Sequence, residues 1–209
     1  MMKLLLTGFE PFGGSTINPS ALVLDRIRED HLSHARIFTS VLPVDGEMAP
    51  AQLIQKIDAI RPEIVLCLGE APGRPAISIE RVAINLLDYR IPDNANRLLS
   101  DRPVIEGAPV AYFSTLPVRV LYDALIHQNI PAELSLTAGS YLCNQVFFHL
   151  MHRTSVDPGI LSAGFIHLPS LPEQVIKRPN LGPSMSLDMV VDAIHIVLKV
   201  LDDHARSIL

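Results

Sequence analysis

Short apolar runs alternate with amphipathic segments along most of the chain. Runs rich in Ile, Val and Leu predict strands or extended segments at residues 3–7, 36–44, 63–69, 78–85, 110–114, 133–138 and 163–168. Apolar residues at helical spacing predict helices at 48–60, 118–128, 143–152 and, most clearly, 186–201. Asn18-Pro19 supplies an N-cap and a first-turn proline for a further helix through about Glu29.

Strands that alternate with helices indicate an α/β fold, because each crossover helix covers one face of a sheet. We therefore predict a single-domain α/β/α sandwich over residues 1–209, built on a mixed, mostly parallel twisted sheet. Residues 78–114 contain no helical pattern, and we expect them to add an antiparallel hairpin or an edge strand.

Composition and charge narrow the class of protein. The 209 residues are 48% hydrophobic and 19% charged, which excludes intrinsic disorder. A formal net charge of −5, without a long basic run, gives no support for nucleic-acid binding. The sequence shows neither a signal-peptide core nor an apolar stretch long enough to span a membrane, so we expect a cytoplasmic protein that does not bind membranes.

Two cysteines are candidates for chemistry, and they are too few to suggest a disulfide framework. Cys143 follows a predicted strand, a turn at Gly139 and a helix cap at Ser140, which places its thiol in the first turn of a helix. Helix N-terminal amides stabilise a thiolate, so Cys143 is a candidate nucleophile; the alternative is an inert core thiol. Cys67, in the middle of an apolar strand, is predicted to be core.

A nucleophilic cysteine needs a base, and that base needs an orienting group. His167 closes the predicted strand 163–168 before a proline-rich loop, which is where α/β folds present catalytic groups; the alternative is a surface histidine. Glu80 lies between apolar neighbours and is a candidate orienter, as is Asp93. Arg81 or Arg90 could instead form a plain ion pair with Glu80, and spacing does not choose between these alternatives.

Two other site types are weaker alternatives. His149 and His152 are three residues apart on a predicted helix, but no carboxylate or cysteine joins them at metal-ligand spacing. The glycines from Gly8 to Gly14 have the spacing of a phosphate-binding loop, but a glycine stands where that loop requires lysine. Phe9 and Phe12 in this loop are better suited to form walls of an apolar pocket, or to pack in the core.

Five ordered motifs resemble those of the pyroglutamyl peptidase I (pyrrolidone-carboxylate peptidase) family along nearly the whole chain. They are Thr7-Gly-Phe-Glu-Pro-Phe-Gly-Gly with Asn18-Pro-Ser; Gly73-Arg with Ile79-Glu-Arg-Val-Ala-Ile-Asn; Ala111-Tyr-Phe-Ser-Thr-Leu-Pro; Ala138-Gly with Cys143-Asn; and Gly164-Phe-Ile-His-Leu-Pro with Leu171-Pro-Glu-Gln. The resemblance implies a cysteine peptidase in one catalytic domain, which removes an N-terminal pyroglutamyl residue from small peptides through a thioester.

The resemblance also assigns roles to residues. It implies a catalytic triad of Cys143, His167 and Glu80, which favours Glu80 over Asp93, and it implies no metal, no organic cofactor and a homo-oligomer (dimer or tetramer). It further implies that Asn18 hydrogen-bonds the substrate lactam and that Arg90 lies near the oxyanion site. The residues implied to line the lactam pocket are Phe9, Phe12, Ile91, Tyr141 and Leu142.

Three positions depart from the family pattern. Glu70 stands where some members carry glutamine, Leu136 replaces a usually polar residue, and Ser170 replaces a usual aromatic. None belongs to the implied triad, but a charged Glu70 near the lactam would change the hydrogen bonds that the pocket offers. These departures suggest an alternative, a weakly active or inactive lactam- or peptide-binding relative on the same scaffold.

Overall fold

The structure, a computed structural model, describes residues 2–27, 35–176 and 180–208. It contains eight strands: β1 (Met2–Phe9), β2 (Ala35–Leu42), β3 (Ile64–Glu70), β4 (Ile77–Glu80), β5 (Val82–Ile84), β6 (Ala111–Phe113), β7 (Ala132–Ser135) and β8 (Ser162–Leu168). The helices are α1 (Pro19–Ile27), α2 (Met48–Ile60), α3 (Val118–His127), α4 (Leu142–Thr154), α5 (Pro172–Val175) and α6 (Leu187–Ile208).

Six strands form one sheet in the order β2-β1-β3-β8-β4-β7. The first four are parallel, β4 runs antiparallel to β8, and β7 is parallel to β4. The predicted α/β class, with a mixed and mostly parallel sheet, is therefore confirmed. Among the described helices, none combines the length and the apolar character needed to cross a lipid bilayer.

The sheet is buried on both faces because apolar side chains alternate from one face to the other. Leu4 and Leu6 of β1 pack in the cluster beneath α1, α3 and α6, whereas Leu5 and Phe9 pack beneath α2 and α4. The same alternation continues through β3 and β8. Its consequence is that His167 of β8, two residues after Phe165, points to the face that α4 covers.

The predicted segment 78–85 is wrong as a single strand. It divides at Arg81 into β4, which lies within the main sheet, and β5, which pairs with β6 in a separate antiparallel ribbon. Apolar alternation does not reveal this change of sheet, because both halves are extended and largely buried. Residues 78–114 therefore do contain an antiparallel pair, but residues 85–110 separate its two strands, so it is not a hairpin, and it lies beside α4 rather than at the edge of the main sheet.

Two other local predictions need correction. Ser140 does not cap α4: Tyr141 is the N-cap residue, and the Ser140 hydroxyl donates to the Asp88 carbonyl at 2.7 Å. The helix expected to reach about Glu29 is α1, described as far as Ile27, and Glu29 lies outside the described residues. Its predicted start is confirmed, since Asn18 Oδ1 accepts the Ser20 N–H at 3.0 Å.

Candidate active site

Cys143 and His167 both lie beside Gly69 of β3. Cys143 is the second residue of α4, after a turn in which Gly139 has a φ of +78°. Gly69 of β3 is paired with His167 of β8, and a Cβ atom built on Gly69 would lie 2.9 Å from Cys143 Sγ. Because Gly69 has no side chain, the space above its Cα is free for the Cys143 thiol, which lies next to β8, the strand that carries His167.

Glu80 lies behind His167. The antiparallel register pairs Ser78 with His167 and Glu80 with Phe165, so Glu80 and His167 are diagonal neighbours on the face beneath α4. Glu80 Oε1 is 2.7 Å from His167 Nδ1. When the ionised carboxylate accepts a hydrogen bond from Nδ1–H, the neutral imidazole carries its proton on Nδ1. The lone pair on Nε2 is then free to accept the proton of a thiol.

The cation that pairs with Glu80 is neither Arg81 nor Arg90, as the ion-pair alternative expected, but Arg74. Its Nη1 is 2.6 Å from Glu80 Oε1, the same oxygen that faces His167. The Gly73-Arg motif was visible in the sequence, but Arg74 is six residues from Glu80 and no local periodicity connects them. The chain turns at Gly73, which has a φ of +89°, in the loop between β3 and β4, and Arg74 is the next residue.

Asp93, the other candidate orienter, does not face the histidine. Its fully buried side chain accepts the backbone N–H groups of Gly46 at 2.9 Å, Ala95 at 3.0 Å and Arg97 at 2.8 Å. Asp93 therefore organises its own loop. Of the two acids that the sequence left open, only Glu80 is hydrogen-bonded to His167.

A cavity of about 510 Å³ opens in front of the thiol. The implied pocket residues that line it are Phe9, Phe12, Asn18, Arg90, Ile91, Tyr141 and Leu142. Cys143 and His167 lie in the same lining, with Glu80 fully buried behind them. Aromatic and aliphatic side chains thus form part of the cavity wall, the charged side chains of Glu70, Arg74, Asp88 and Arg90 also line it, and the candidate nucleophile lies on the same wall.

The aromatic walls of the cavity are held by packing and hydrogen bonds. Tyr141 packs edge-on against Tyr89, with ring centroids 4.7 Å apart, and donates its hydroxyl to the Pro92 carbonyl at 3.1 Å. Phe12 contacts Tyr141 at 6.4 Å between ring centroids. Ile91 is 42% exposed, which places it at the rim. A compact, flat, neutral ring suits such a pocket better than an extended charged chain.

Asn18 has most of its hydrogen-bonding groups engaged. Its Oδ1 accepts from the backbone and the hydroxyl of Ser20 at 3.0 and 2.8 Å, and its Nδ2 donates to the Glu10 carbonyl at 3.0 Å. One Nδ2 hydrogen stays available to a ligand carbonyl. Arg90 is exposed on the cavity lining.

Two of the three departures from the family pattern contact each other. Ser170 donates to Glu70 Oε1 at 2.7 Å, and Gln174 donates to both Glu70 oxygens at 3.0 Å. Glu70 is 6% exposed and lines the cavity. Neutral donors thus hold a carboxylate on the cavity wall. Leu136, the third departure, is 67% exposed, outside that lining.

The surroundings of Cys143 oppose thiolate formation in the resting protein. Enclosure raises the pKa of its thiol to about 12, with the negative charge of Glu80 as the next cause and Arg74 acting in the opposite direction. The expectation that the start of the helix would activate the thiol is therefore outweighed by desolvation. Proton transfer to a base must accompany any attack by this sulfur.

We expect the rate of Cys143 alkylation by iodoacetamide to rise continuously up to about pH 9. Below a raised pKa, the thiolate fraction grows about tenfold for each pH unit. Mass spectrometry of the proteolytic peptides after timed exposure measures the rate at each cysteine. Cys67 serves as the internal control, because it is fully buried with its pKa likewise raised to about 12. A plateau below about pH 8 would contradict the expected behaviour.

Gly69→Ala is expected to lower kcat by about 100-fold. The new methyl group would displace the Cys143 thiol, and a displacement of about 1 Å of a reacting group can lower the rate by that factor. The same methyl would lie 2.8 Å from the Phe165 ring, so overpacking should also cost about 1–3 kcal/mol of stability. Gly182→Ala is the matched control, with no atom within 4 Å of its built Cβ. Equal kcat in both variants would disprove the close approach.

His149 and His152 do not form a metal centre with the described residues around them. Among all residues that the structure describes, no group of three or more His, Cys, Asp or Glu side chains could hold a metal ion. His152 Nδ1 instead lies 2.8 Å from the Tyr112 hydroxyl, and burial lowers the pKa of His149 to about 4. His152 thus ties α4 to the β5-β6 ribbon.

Known proteins resemble this chain in sequence and in fold. Residues 2–203 match the profile of the family described as pyroglutamyl peptidase. The pyrrolidone-carboxylate peptidase of Gloeobacter violaceus is 46% identical over 200 residues, covering 96% of this chain and 97% of the relative. That of Pyrococcus furiosus is 42% identical over 202 residues, covering 95% and 97%. The pyrrolidone carboxyl peptidase structure from Thermococcus litoralis has a TM-score of 0.96 at 39% identity, covering 100% of this chain and 97% of that one.

Proposed function

The chain belongs to the pyroglutamyl peptidase family, and from that premise we propose that it hydrolyses the amide bond after an N-terminal pyroglutamyl residue, with Cys143 as nucleophile. The observation that carries this proposal is the alignment of Cys143 Sγ above Gly69, beside a histidine that Glu80 bonds at 2.7 Å. In the proposal, residues 1–209 act as one catalytic domain on small peptides. The cytoplasmic location and the homo-oligomer stay predictions.

The first half of the reaction forms a thioester. His167 Nε2 takes the Cys143 proton as the sulfur attacks the pyroglutamyl carbonyl, because enclosure raises the pKa of the thiol and favours transfer of the proton to a base. Backbone N–H groups at the start of α4 stabilise the resulting oxyanion. The carbon–nitrogen bond then breaks, and His167 returns its proton to the departing amine.

The second half restores the enzyme. His167 removes a proton from water as that water attacks the thioester carbonyl, and the sulfur leaves with the proton that the imidazole holds. Throughout both halves, Glu80 keeps the Nδ1 proton in place and stabilises the imidazolium. Pyroglutamic acid and the shortened peptide are the products.

Selectivity follows from the chemistry of the cavity wall. A pyroglutamyl ring is neutral and compact, so it can enter between Phe9, Phe12 and Tyr141 without carrying a charge. An ordinary N-terminal residue would bring an ammonium group, whose desolvation between these aromatic rings is unfavourable. In the proposal, the Nδ2 hydrogen of Asn18 that Glu10 does not accept binds the lactam carbonyl.

Release of a chromogenic amine from pyroglutamyl, glutaminyl and prolyl amides tests this proposal. We expect kcat/KM for the pyroglutamyl amide to exceed the other two by at least about 1,000-fold, since an excluded charge adds to the lost ring contacts. The glutaminyl amide is the matched control, because it differs by ring closure and the charge of its N-terminus. Absence of pyroglutamyl cleavage by the folded protein would refute the proposal.

A further inference from the structure

Arg74 bridges two parts of the site that the fold brings together from distant segments. Its Nη1 lies 2.6 Å from Glu80 Oε1 and 3.3 Å from Ser135 Oγ. Its Nη2 donates to the Thr137 carbonyl at 2.8 Å. One guanidinium therefore contacts the strand that carries the acid and the segment that leads through Gly139 to Cys143.

Glu80 depends on this contact. Its side chain is fully buried, and Oε1 takes the bonds from both Arg74 and His167. Within the described part of the chain, Glu80 Oε2 has no hydrogen-bond partner. Without Arg74, the carboxylate would be held by the imidazole alone, although orienting that imidazole is its proposed task.

We propose that Arg74 is a positioning residue that holds Glu80 in line with His167 and couples it to the segment carrying Cys143, a role that rests on the function proposed above. Arginine suits the task because its planar fork can donate to a carboxylate and to a carbonyl oxygen at the same time. Lysine would keep the charge but would lose the fork.

Arg74 also sets the charge balance around the sulfur. The charges that act on Cys143 are Glu80 on β4, Glu70 on β3 and Arg74, while Cys67 of β3 and His167 of β8 are the other titratable neighbours. Arg74 lowers the pKa of the Cys143 thiol against both carboxylates. A purely structural arginine would support the loop without this effect on the sulfur.

Two variants separate the effect of the positive charge from that of the planar guanidinium: Arg74→Gln removes both, and Arg74→Lys keeps the charge. In Arg74→Gln we expect kcat on a pyroglutamyl amide to fall by about 10- to 100-fold, the usual cost of losing an outer partner that acts on the site through another residue. Alkylation of Cys143 at about pH 9 should slow by about three- to tenfold, because the thiolate loses its cation. In Arg74→Lys, alkylation should match the wild type while kcat falls by about three- to tenfold.

Arg153→Gln is the matched control. Arg153 is 30% exposed, close to the 25% of Arg74, and it pairs with Asp58 and Asp157 at 2.8 and 3.0 Å, at the far end of α4. We expect wild-type kcat and alkylation in this variant. The control thereby separates the general effect of removing an arginine and its ion pairs from the specific effect of removing Arg74.

Three results would overturn the role of Arg74: unchanged kcat in Arg74→Gln, a loss of kcat with an unmoved alkylation rate, or equal slowing of alkylation in the Lys and Gln variants. If Arg74→Gln fails to fold, wild-type kcat in Arg74→Lys overturns the coupling through Thr137, and a loss supports it. If the wild type cleaves no pyroglutamyl amide, the proposed function fails by itself, while alkylation still tests Arg74.

Discussion

Replacing Cys143 by alanine is expected to lower kcat for a pyroglutamyl amide by about 10⁴-fold or more. Loss of a nucleophile that acts together with its base removes covalent catalysis altogether, and only binding and oxyanion stabilisation remain. Amine release under saturating substrate measures the effect. Substrate affinity should change little, because the cavity walls around Phe12 and Tyr141 do not depend on the thiol.

The second cysteine provides the control for this experiment. Cys67 is fully buried in β3, on the same face of the sheet as the site, and contacts Thr7. Cys67→Ala should keep kcat within about twofold and lose about 1–2 kcal/mol of stability, as for other small losses of buried volume. Full activity in Cys143→Ala, or a comparable loss in Cys67→Ala, would remove Cys143 as the nucleophile.

Glu80→Gln is expected to lower kcat by about 10³- to 10⁴-fold while the protein stays folded. A neutral amide cannot stabilise the imidazolium, and its NH₂ group can turn toward Nδ1 and reverse the tautomer of His167. Steady-state kinetics, combined with thermal unfolding, separate the catalytic loss from a loss of folded protein. The loss should appear in kcat, because Glu80 lies behind the histidine and outside the cavity lining.

Asp93→Asn is the matched control for Glu80→Gln, since both replace a buried carboxylate by its amide. Asp93 accepts three backbone N–H groups, so its replacement should cost about 1–3 kcal/mol of stability. Its kcat should stay within about threefold of the wild type. If Asp93→Asn lost as much activity as Glu80→Gln, the assignment of the orienting acid would be wrong.

The order of secondary structure could be predicted from the sequence because each element has its own period. The helix at Met48–Ile60 was predicted to the residue, and the strands of the parallel half were placed within two residues of their observed ends. The short helix α5 and the division of 78–85 at Arg81 were missed. The four residues of α5 are too few to show a helical period. The division at Arg81 is decided by which strand each half pairs with, and hydrophobic periodicity carries no information on partners.

Prediction of the candidate site had the same strength and the same limit. Motifs and element ends identified Cys143, His167 and Glu80 as candidates, and the structure brings these three together. Gly69 and Arg74 were not assigned a role, although a glycine that closes a buried strand is a signal of close approach by another group. The enclosure that raises the pKa of the thiol was not expected either, because enclosure by other segments cannot be inferred from a position at a helix start.

By itself, the sequence determined the α/β class, the family motifs and the residue types able to perform the chemistry, since these depend on local period and identity. The choice of Glu80 over Asp93 came from the family motifs and not from spacing, and only the tertiary structure decided which arginine balances that acid and how closely the thiol approaches the sheet. The physical reason is distance along the chain. Glu80 and His167 are 87 residues apart, and the antiparallel pairing of β4 with β8 alone makes them neighbours.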